Sequence, residues 1–280
     1  MRRCLILLSL LILHLTGSAQ DRAAEDTTTR GGLQFSAIAE LGFLGVIDHT
    51  IQLSNDGTSF DYREDGGQDV LFPVGRLSLE FRFKERNTFV LLYQPLRLKT
   101  QVLLQEDLIV DGLTFPAGTG VRLLYNFPFY RVSYLRELIK NNDRFHFALG
   151  ASLQLRNATI SFESNDGTLF RSNRDVGPVP ALKIRTRGDL GKRWYLEFEA
   201  DGMYAPISVL NGSTNETVGA ILDASLRSGV RLHPSAHSFF NLRYLGGGAV
   251  GTSEDTGPGD GYVKNWLHFY TITAGLVFTL

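Results

Sequence analysis

The sequence predicts an all-β protein, an antiparallel transmembrane β-barrel of about ten strands. Apolar and polar residues alternate along most of the chain, and a strand turns successive side chains to opposite faces. Short and long polar connectors follow one another between the alternating segments. No segment after the N-terminal region offers the roughly 18 consecutive apolar residues that a spanning helix needs. Strands can cross a membrane instead, because a closed barrel satisfies every backbone polar group.

The N-terminus has the three parts of a secretory signal peptide. Arg2 and Arg3 form a basic start, residues 5–15 form an apolar run, and Gly17-Ser18-Ala19 supplies the small residues of a cleavage site. The alternative, a membrane anchor, fits less well because the run is shorter than a spanning helix. We predict a signal peptide over 1–19, a polar segment over 20–32 and a barrel over 33–280.

The faces of the strands follow from the alternation. Odd positions from Phe145 to Leu155 are all apolar, whereas most even positions between them are small or polar. The final segment, 266–280, alternates in the same way. At Pro95 and Pro128 the pattern changes parity, and proline is tolerated in sheets mainly at edges or bulges. We therefore predict β-bulges at these two prolines.

The connectors fall into two classes that alternate strictly. The short connectors are 84–87, 140–143, 191–193 and 234–237, and the long ones are 55–68, 112–120, 164–177, 211–217 and 254–264. An Asp-Gly-x-x-Phe segment begins at Asp56, Asp111 and Asp166, in or next to long connectors, and the Asp-Gly pair favours tight hairpin turns. These connectors give about ten strands with both chain ends on one side, and eight or twelve strands are the alternatives.

The C-terminal strand carries a family pattern. Thr273-x-Gly275-x-x-Phe278-x-Leu280 resembles the assembly signal of bacterial outer-membrane β-barrel proteins, with Leu280 where an aromatic residue is usual. The resemblance is to the small barrels of this class and to no single named family. It implies an outer-membrane location with short turns and both termini in the periplasm. It also implies two partners, outer-membrane lipid and, through the C-terminal strand, the barrel-assembly machinery; no extracellular partner is indicated.

The inner face of the predicted strands carries many charged residues. A tight turn at 191–193 predicts that Leu190 faces Trp194, which stacks three opposite-charge pairs in one ladder: Lys183 with Asp201, Arg185 with Glu199 and Arg187 with Glu197. The other inward-facing candidates are Glu40, Arg76, Glu80, Arg82, Arg97, Lys99, Arg131, Arg156, Arg227, Arg231 and Arg243. The lumen is either a charged channel or a space filled by salt-bridged side chains. A small barrel favours the second, because open aqueous pores are typical of about 16 strands.

Signals for catalysis and for nucleic-acid binding are weak. His49 lies near Ser54 and Asp56, but no spacing joins it to an orienting residue as a catalytic triad requires. No Cys/His metal spacing is present, so we expect no catalytic residue, metal or cofactor. The balanced charge, 28 basic against 29 acidic residues, argues against nucleic acid as a partner.

Three functional hypotheses follow from these patterns. The first is a non-enzymatic outer-membrane protein, structural or surface-interacting, with a largely filled and charged lumen. The second is a narrow channel or transporter for small solutes. The third, less favoured, is a lipid-modifying or proteolytic barrel enzyme. A fold of this class hosts all three activities, so the choice among them depends on the site.

Overall fold

The chain folds into strands throughout the residues that the computed structural model describes, which are 32–206, 217–252 and 258–280. That part of the chain contains no helix that is long and apolar enough to cross a membrane. The predicted signal peptide lies outside the described residues. The strands are β1 Gln34–Leu53, β2 Phe60–Asp61, β3 Leu71–Phe83, β4 Asn87–Gln94, β5 Arg97–Leu103, β6 Leu108–Val110, β7 Leu113–Phe115, β8 Gly120–Asn126, β9 Phe129–Glu137, β10 Phe145–Ser164, β11 Phe170–Leu190, β12 Trp194–Pro206, β13 Val218–His233, β14 Ala236–Thr252 and β15 Tyr262–Thr279.

Ten antiparallel wall strands close into a barrel, which confirms the predicted fold class. β4 and β5 follow one another in one wall strand, and β8 and β9 do so in the next. The short β2 pairs with β1, and β6 and β7 form a separate hairpin. β15 pairs with β14 on one edge and with β1 on the other, so the C-terminal strand closes the ring.

Side chains on the wall alternate between an apolar outer face and a polar inner face. On β3, Leu77 and Leu79 are exposed on the outside, whereas Arg76 and Ser78 are buried in the lumen. The exposed apolar residues of neighbouring strands form a continuous outward belt. Such a belt is the surface that a membrane barrel presents to lipid, so it marks the membrane-spanning part of the wall.

A β-bulge in β1 lies at the limit of this belt. The pairing of β1 with β15 slips between Val46 and Asp48, so Val46 and His49 both point inward and are buried. Beyond the bulge the outward residues, Asp48 and Thr50, are polar. Residues of β1 after Ile47 therefore lie beyond the membrane-spanning part, towards the end of the barrel that carries the long connectors.

The bulges predicted at Pro95 and Pro128 are not present, so that prediction is wrong. β4 pairs with β9, and β5 pairs with β8, in one uninterrupted register. Between the two stretches, the N–H of Phe127 donates to the carbonyl of Leu96 over 2.8 Å. The alternation of side chains therefore continues through both prolines, and what changes there is which face is apolar.

This inversion corrects the placement of two predicted lumen residues. Arg97 and Lys99 point outward and are exposed, whereas Leu98 points inward and is buried. The wall has left the membrane at this height, so its outside can be polar and its inside apolar. The interior here is an apolar core that includes Leu44, Ile51, Phe60, Tyr62, Leu98, Phe115, Leu123, Tyr125, Phe129, Ile160 and Phe162.

The connectors agree with the predicted alternation at most positions. Asp111 and Gly112 both have positive φ, 45° and 71°, and join β6 to β7 as the type I′ turn that an Asp-Gly pair favours. The predicted long connector 164–177 is wrong, because β10 and β11 extend as one tall hairpin and leave only residues 165–169 between them. Of the connectors predicted at 211–217 and 254–264, residues 211–216 and 254–257 lie outside the described residues, and β15 already begins at Tyr262.

Candidate functional site: lumen network and outer vestibule

The β11–β12 hairpin has the register that the sequence predicts. Lys183 lies opposite Asp201, Arg185 opposite Glu199 and Arg187 opposite Glu197. Lys183 Nζ is 2.8 Å from Asp201 Oδ2 and 3.0 Å from Glu199 Oε2, and Arg185 Nε is 2.6 Å from Glu199 Oε1. The third pair is looser, with Arg187 Nη1 3.9 Å from Glu197 Oε2. The ladder therefore forms ion pairs along the inner face of two neighbouring strands.

Arginines connect this ladder to the far wall of the barrel. Arg131 of β9 lies 2.9 Å from Asp201 and 2.8 Å from Asp223 of β13. Arg243 of β14 donates to both carboxylate oxygens of Asp223, at 2.5 and 2.8 Å. The ion pairs thus cross the lumen and do not simply follow the ladder.

Arg185 reaches the opposite side of the ring as well. Its Nη2 lies 2.6 Å from Glu80 Oε1 and its Nη1 lies 3.1 Å from Glu80 Oε2. A guanidinium that binds a carboxylate with two nitrogens fixes the geometry as well as the charge. This contact joins β11 to β3, two strands that are distant in the wall.

A second carboxylate, Glu40 of β1, collects its own partners. Arg227 Nη2 is 3.4 Å from Glu40 and Arg76 Nη1 is 3.7 Å from it. Asn241 and Thr273 also donate to Glu40, each over 2.9 Å. Arg227 binds Glu197 at 2.8 Å, which connects this cluster to the ladder. We call the whole connected set the ion-pair network.

The network lies across the lumen at the height of the outward apolar belt. Lys183, Asp201 and Arg243 are each only 2% exposed. Charges that lose water at this depth are costly unless each has partners of opposite charge and further hydrogen bonds. Gln154 and Gln94 supply such bonds, because they accept from Arg131 and Arg243. Both glutamines and Asp223 are absent from the predicted set of lumen residues, although all three are buried at inward positions.

The remaining predicted lumen residues lie at the two ends of the barrel. Arg82 is exposed near the short-turn end. Arg231 binds Asp189 there, and Arg187 stacks over the Tyr195 ring at 3.8 Å. Arg156 lies at the opposite end, where its guanidinium is 2.5 Å from Asp175. These residues therefore border the network and are not part of its buried centre.

Above the network, one side of the barrel encloses a cavity of about 560 Å³, which we call the vestibule. Gln154 lies at its boundary with the network, and Arg156 and Asp175 lie higher on its wall. Small and apolar residues form much of the rest of its lining, among them Gly177, Pro178, Pro180, Met203, Gly219, Ile221, Leu245, Ala249 and Leu267. Cavities of this size are typical of small-molecule sites.

The residues of the predicted assembly signal lie where β15 closes the barrel. Thr273 points inward to Glu40, whereas Phe278 and Leu280 are exposed on the outside. Gly275 is packed so tightly that a Cβ there would come 2.3 Å from the Phe239 ring and 2.7 Å from the carbonyl of Ala39. Glycine at this position is thus explained by close packing, and its role in assembly stays a prediction.

His49 lies in the apolar core and not in a catalytic arrangement. Its ring stacks on Tyr62 with centroids 4.6 Å apart, and its Nδ1 lies 2.8 Å from Gln68 Oε1. Burial lowers the pKa of His49 from 6.5 to about 4, so the ring is neutral at physiological pH. Within the described residues, no group of three or more His, Cys, Asp or Glu side chains is placed to hold a metal ion.

No protein-family model matches the chain, and no curated protein matches it. Solved structures do: the outer-membrane protease OmpT from Escherichia coli is 12% identical, with 88% of this chain and 97% of OmpT covered and a TM-score of 0.51. The outer-membrane protein OprG from Pseudomonas aeruginosa is 13% identical, with 89% and 97% covered and a TM-score of 0.33. Neisserial surface protein A is 12% identical, with 88% and 96% covered and a TM-score of 0.29.

The barrel and its likeness in fold to the OmpT structure place the chain in one class of protein. It is a β-barrel membrane protein with the fold of the small barrels of bacterial outer membranes. Identities this low show the fold alone and carry no activity over to this chain.

Proposed function

We propose that this protein is a non-enzymatic barrel of the bacterial outer membrane whose lumen is closed to through-flow by the ion-pair network. The observation that carries the proposal is the burial of Lys183, Arg131 and Asp201 at the height of the lipid-facing belt. Buried side chains joined by ion pairs fill the cross-section of the lumen through which a solute would have to pass. Both termini lie in the periplasm and the long connectors outside the cell, as is usual for barrels with short turns at one end.

The environment of His49 supports a non-enzymatic function. Its Nδ1 contacts an amide oxygen, and its ring stacks on Tyr62 and makes a T-shaped contact with Tyr125. A general base needs an accessible nucleophile or water within hydrogen-bond reach. Turnover of a lipid A or peptide substrate by the purified, folded barrel would contradict this part of the proposal.

Planar-bilayer conductance tests the closed lumen directly. The folded wild-type protein should give no steady ion current. A variant that removes the central charges together, Arg131→Ser with Asp201→Ser and Asp223→Ser, should conduct, because small polar side chains leave room for water. Gel mobility of unheated samples shows whether that variant still folds. A steady current through the wild-type barrel would overturn the proposal and favour the narrow channel.

A further inference from the structure

The barrel wall has a break between β11 and β12. β11 pairs with β10 from Phe170 to Gly188, but it pairs with β12 only from Leu182 to Leu190. β12 itself continues to Pro206 and stays paired with β13 along that length. Over the described residues, β11 is thus paired with β10 along nearly its whole length. Its edge towards β12 has no ladder partners between residues 170 and 181. We call this break the lateral opening.

The sequence explains why the ladder stops there. The N–H of Asp189 donates to the carbonyl of Arg144, on the β10 side. Because the register with β10 has no shift, the backbone N–H and C=O groups of the odd-numbered residues of β11 point towards β10. Even-numbered residues must then direct their backbone groups towards β12. Pro178 and Pro180 are even-numbered, and proline has no N–H to donate. The edge that faces β12 therefore lacks two donors directly above its last pair.

The lateral opening connects two hollows. Inside the barrel is the vestibule, and on the lipid-facing surface is a second hollow of about 850 Å³, lined by Leu182, Tyr204, Leu222 and Trp266 among others. Both hollows are bordered by Pro180, Met203 and Ile221, which are residues at or beside the opening. The vestibule thus adjoins the lipid phase through the wall, while the ion-pair network closes it below.

The vestibule also contains hydrogen-bond donors that have no partner among the described residues. Gln154 is 2% exposed. Its Oε1 accepts from Arg131, whereas its Nε2 has no hydrogen-bond partner. Arg156, two residues along the same inward face of β10, has an unpartnered Nε. Leaving a buried donor without an acceptor is costly, so a ligand that supplies oxygen atoms would be stabilised here.

We propose that the vestibule binds a single-chain amphiphile with an oxygen-bearing head group, and that this molecule passes between the vestibule and the lipid phase through the lateral opening. The head group accepts hydrogen bonds from Gln154 and Arg156. The chain lies along the apolar lining towards Pro180 and Met203. This route does not cross the ion-pair network, so it is independent of whether the lumen conducts ions.

Photo-labelling in vesicles tests the binding. Folded protein in phosphatidylcholine vesicles is exposed to palmitic acid with a diazirine in its chain, irradiated, digested and mapped by mass spectrometry. The proposal expects labels on inward residues such as Ile221 and Ala249, in competition with unlabelled palmitic acid. Labels confined to lipid-facing residues, or labelling that unlabelled acid does not reduce, would overturn it.

A matched pair of variants keeps that test specific. Ile221→Trp places a large ring in the vestibule beside the opening, and it should reduce labelling of Ala249 about tenfold because the ring occupies the space of the chain. Leu226→Trp makes the same change on the lipid-facing side of the same strand, where Leu226 is exposed. It should leave labelling unchanged. Equal labelling in both variants would exclude the vestibule as the site.

Disulfide formation tests the opening itself. If the ladder continued in its register, Val179 would face Ala205, and two cysteines there would bond readily, since a disulfide needs Cα atoms within about 7 Å. In a Cys4→Ser background, which removes the sequence's one cysteine, Val179→Cys with Ala205→Cys keeps both prolines and should stay reduced. Thr186→Cys with Phe198→Cys, a directly opposed pair in the intact ladder, should oxidise. Rapid oxidation of both pairs would mean that the wall is closed and would overturn the lateral route.

Discussion

The wall of this barrel loses its ladder in two places, and the two breaks are handled differently. β3 pairs with β1 from Leu71 to Arg82 but with β4 only from Leu77 to Phe83, and β5 pairs only with β8. The upper part of β3 and all of β5 therefore do not pair with each other. On the opposite side of the barrel, β11 and β12 separate above Leu182. The two breaks differ in whether another segment of the chain packs into the space between the unpaired strands.

The β3–β5 break is filled by the segment from Phe60 to residue 70. Tyr62 is fully buried in the apolar core, and Gly67 lies so close to β5 that a Cβ there would be 3.1 Å from Val102 Cγ1. At the β11–β12 break, by contrast, the described residues include no such inserted segment, and the vestibule reaches the wall. One break is thus closed by packing, and the other is left as a passage.

Replacing Tyr62 should have the largest effect on this comparison. Tyr62→Ala removes a fully buried ring that contacts His49 and Phe60, and large-to-small changes of this kind cost about 3–5 kcal/mol of the free energy of unfolding. Urea unfolding of the barrel in vesicles measures the loss.

Two controls separate packing from other effects. Tyr62→Phe should be nearly neutral, because the Tyr62 hydroxyl has no hydrogen-bond partner among the described residues. Met203→Ala, at the unfilled break, should cost less than about 1 kcal/mol, since that side chain is only partly buried and borders both hollows. A large loss in Met203→Ala would show that the second break is packed as well.

The filled break should contribute to the pH dependence of stability through His49. The pKa of His49 is about 4 in the folded protein and about 6.5 when unfolded, so only the unfolded chain takes up a proton between these values. The contribution of His49 to the free energy of unfolding is therefore complete above pH 6.5 and falls as the pH drops towards 4. Below pH 4 the total loss reaches about 3 kcal/mol. Urea midpoints measured from pH 7.5 to 4 give the slope, and His49→Gln should remove this part of it. An unchanged slope in His49→Gln would show that other groups cause the pH dependence.

Sequence alone predicted what depends on local pattern. The turn at 191–193 fixed one register, and from it followed the three pairs that begin at Lys183, Arg185 and Arg187. The alternation also predicted the ten strands and the order of short and long connectors. These features are set by period-two patterning and by turn length, both of which are local.

Other features depend on where the membrane ends and on contacts across the ring. The apolar residues around Leu98 lie on the inner face because the wall leaves the lipid at that height. In the sequence, this exchange of the apolar face produces the same change of parity as a β-bulge. Asp223 bridges Arg131 and Arg243 from three different strands, and no spacing along the chain reports such a contact. Pro178 and Pro180 are visible in the sequence, but the edge they disable is known only once the register with β10 is known.

Removing one carboxylate below the unfilled break should have a smaller effect than replacing Tyr62 or protonating His49. Glu199→Ala takes a partner from Arg185 and from Lys183, yet Arg185 keeps Glu80 at 2.6 Å and Lys183 keeps Asp201 at 2.8 Å. Because neither cation is left without a carboxylate, the expected loss is about 1–2 kcal/mol, less than the 3–5 of a fully broken buried pair. A lower temperature for loss of the folded band on a gel would report this loss. Glu163→Ala, which breaks the exposed pair with Arg122, should shift that temperature less. If Glu199→Ala also allowed the cysteines at positions 179 and 205 to oxidise, the charges below the lateral opening would be holding it apart, and the break would not be due to the prolines alone.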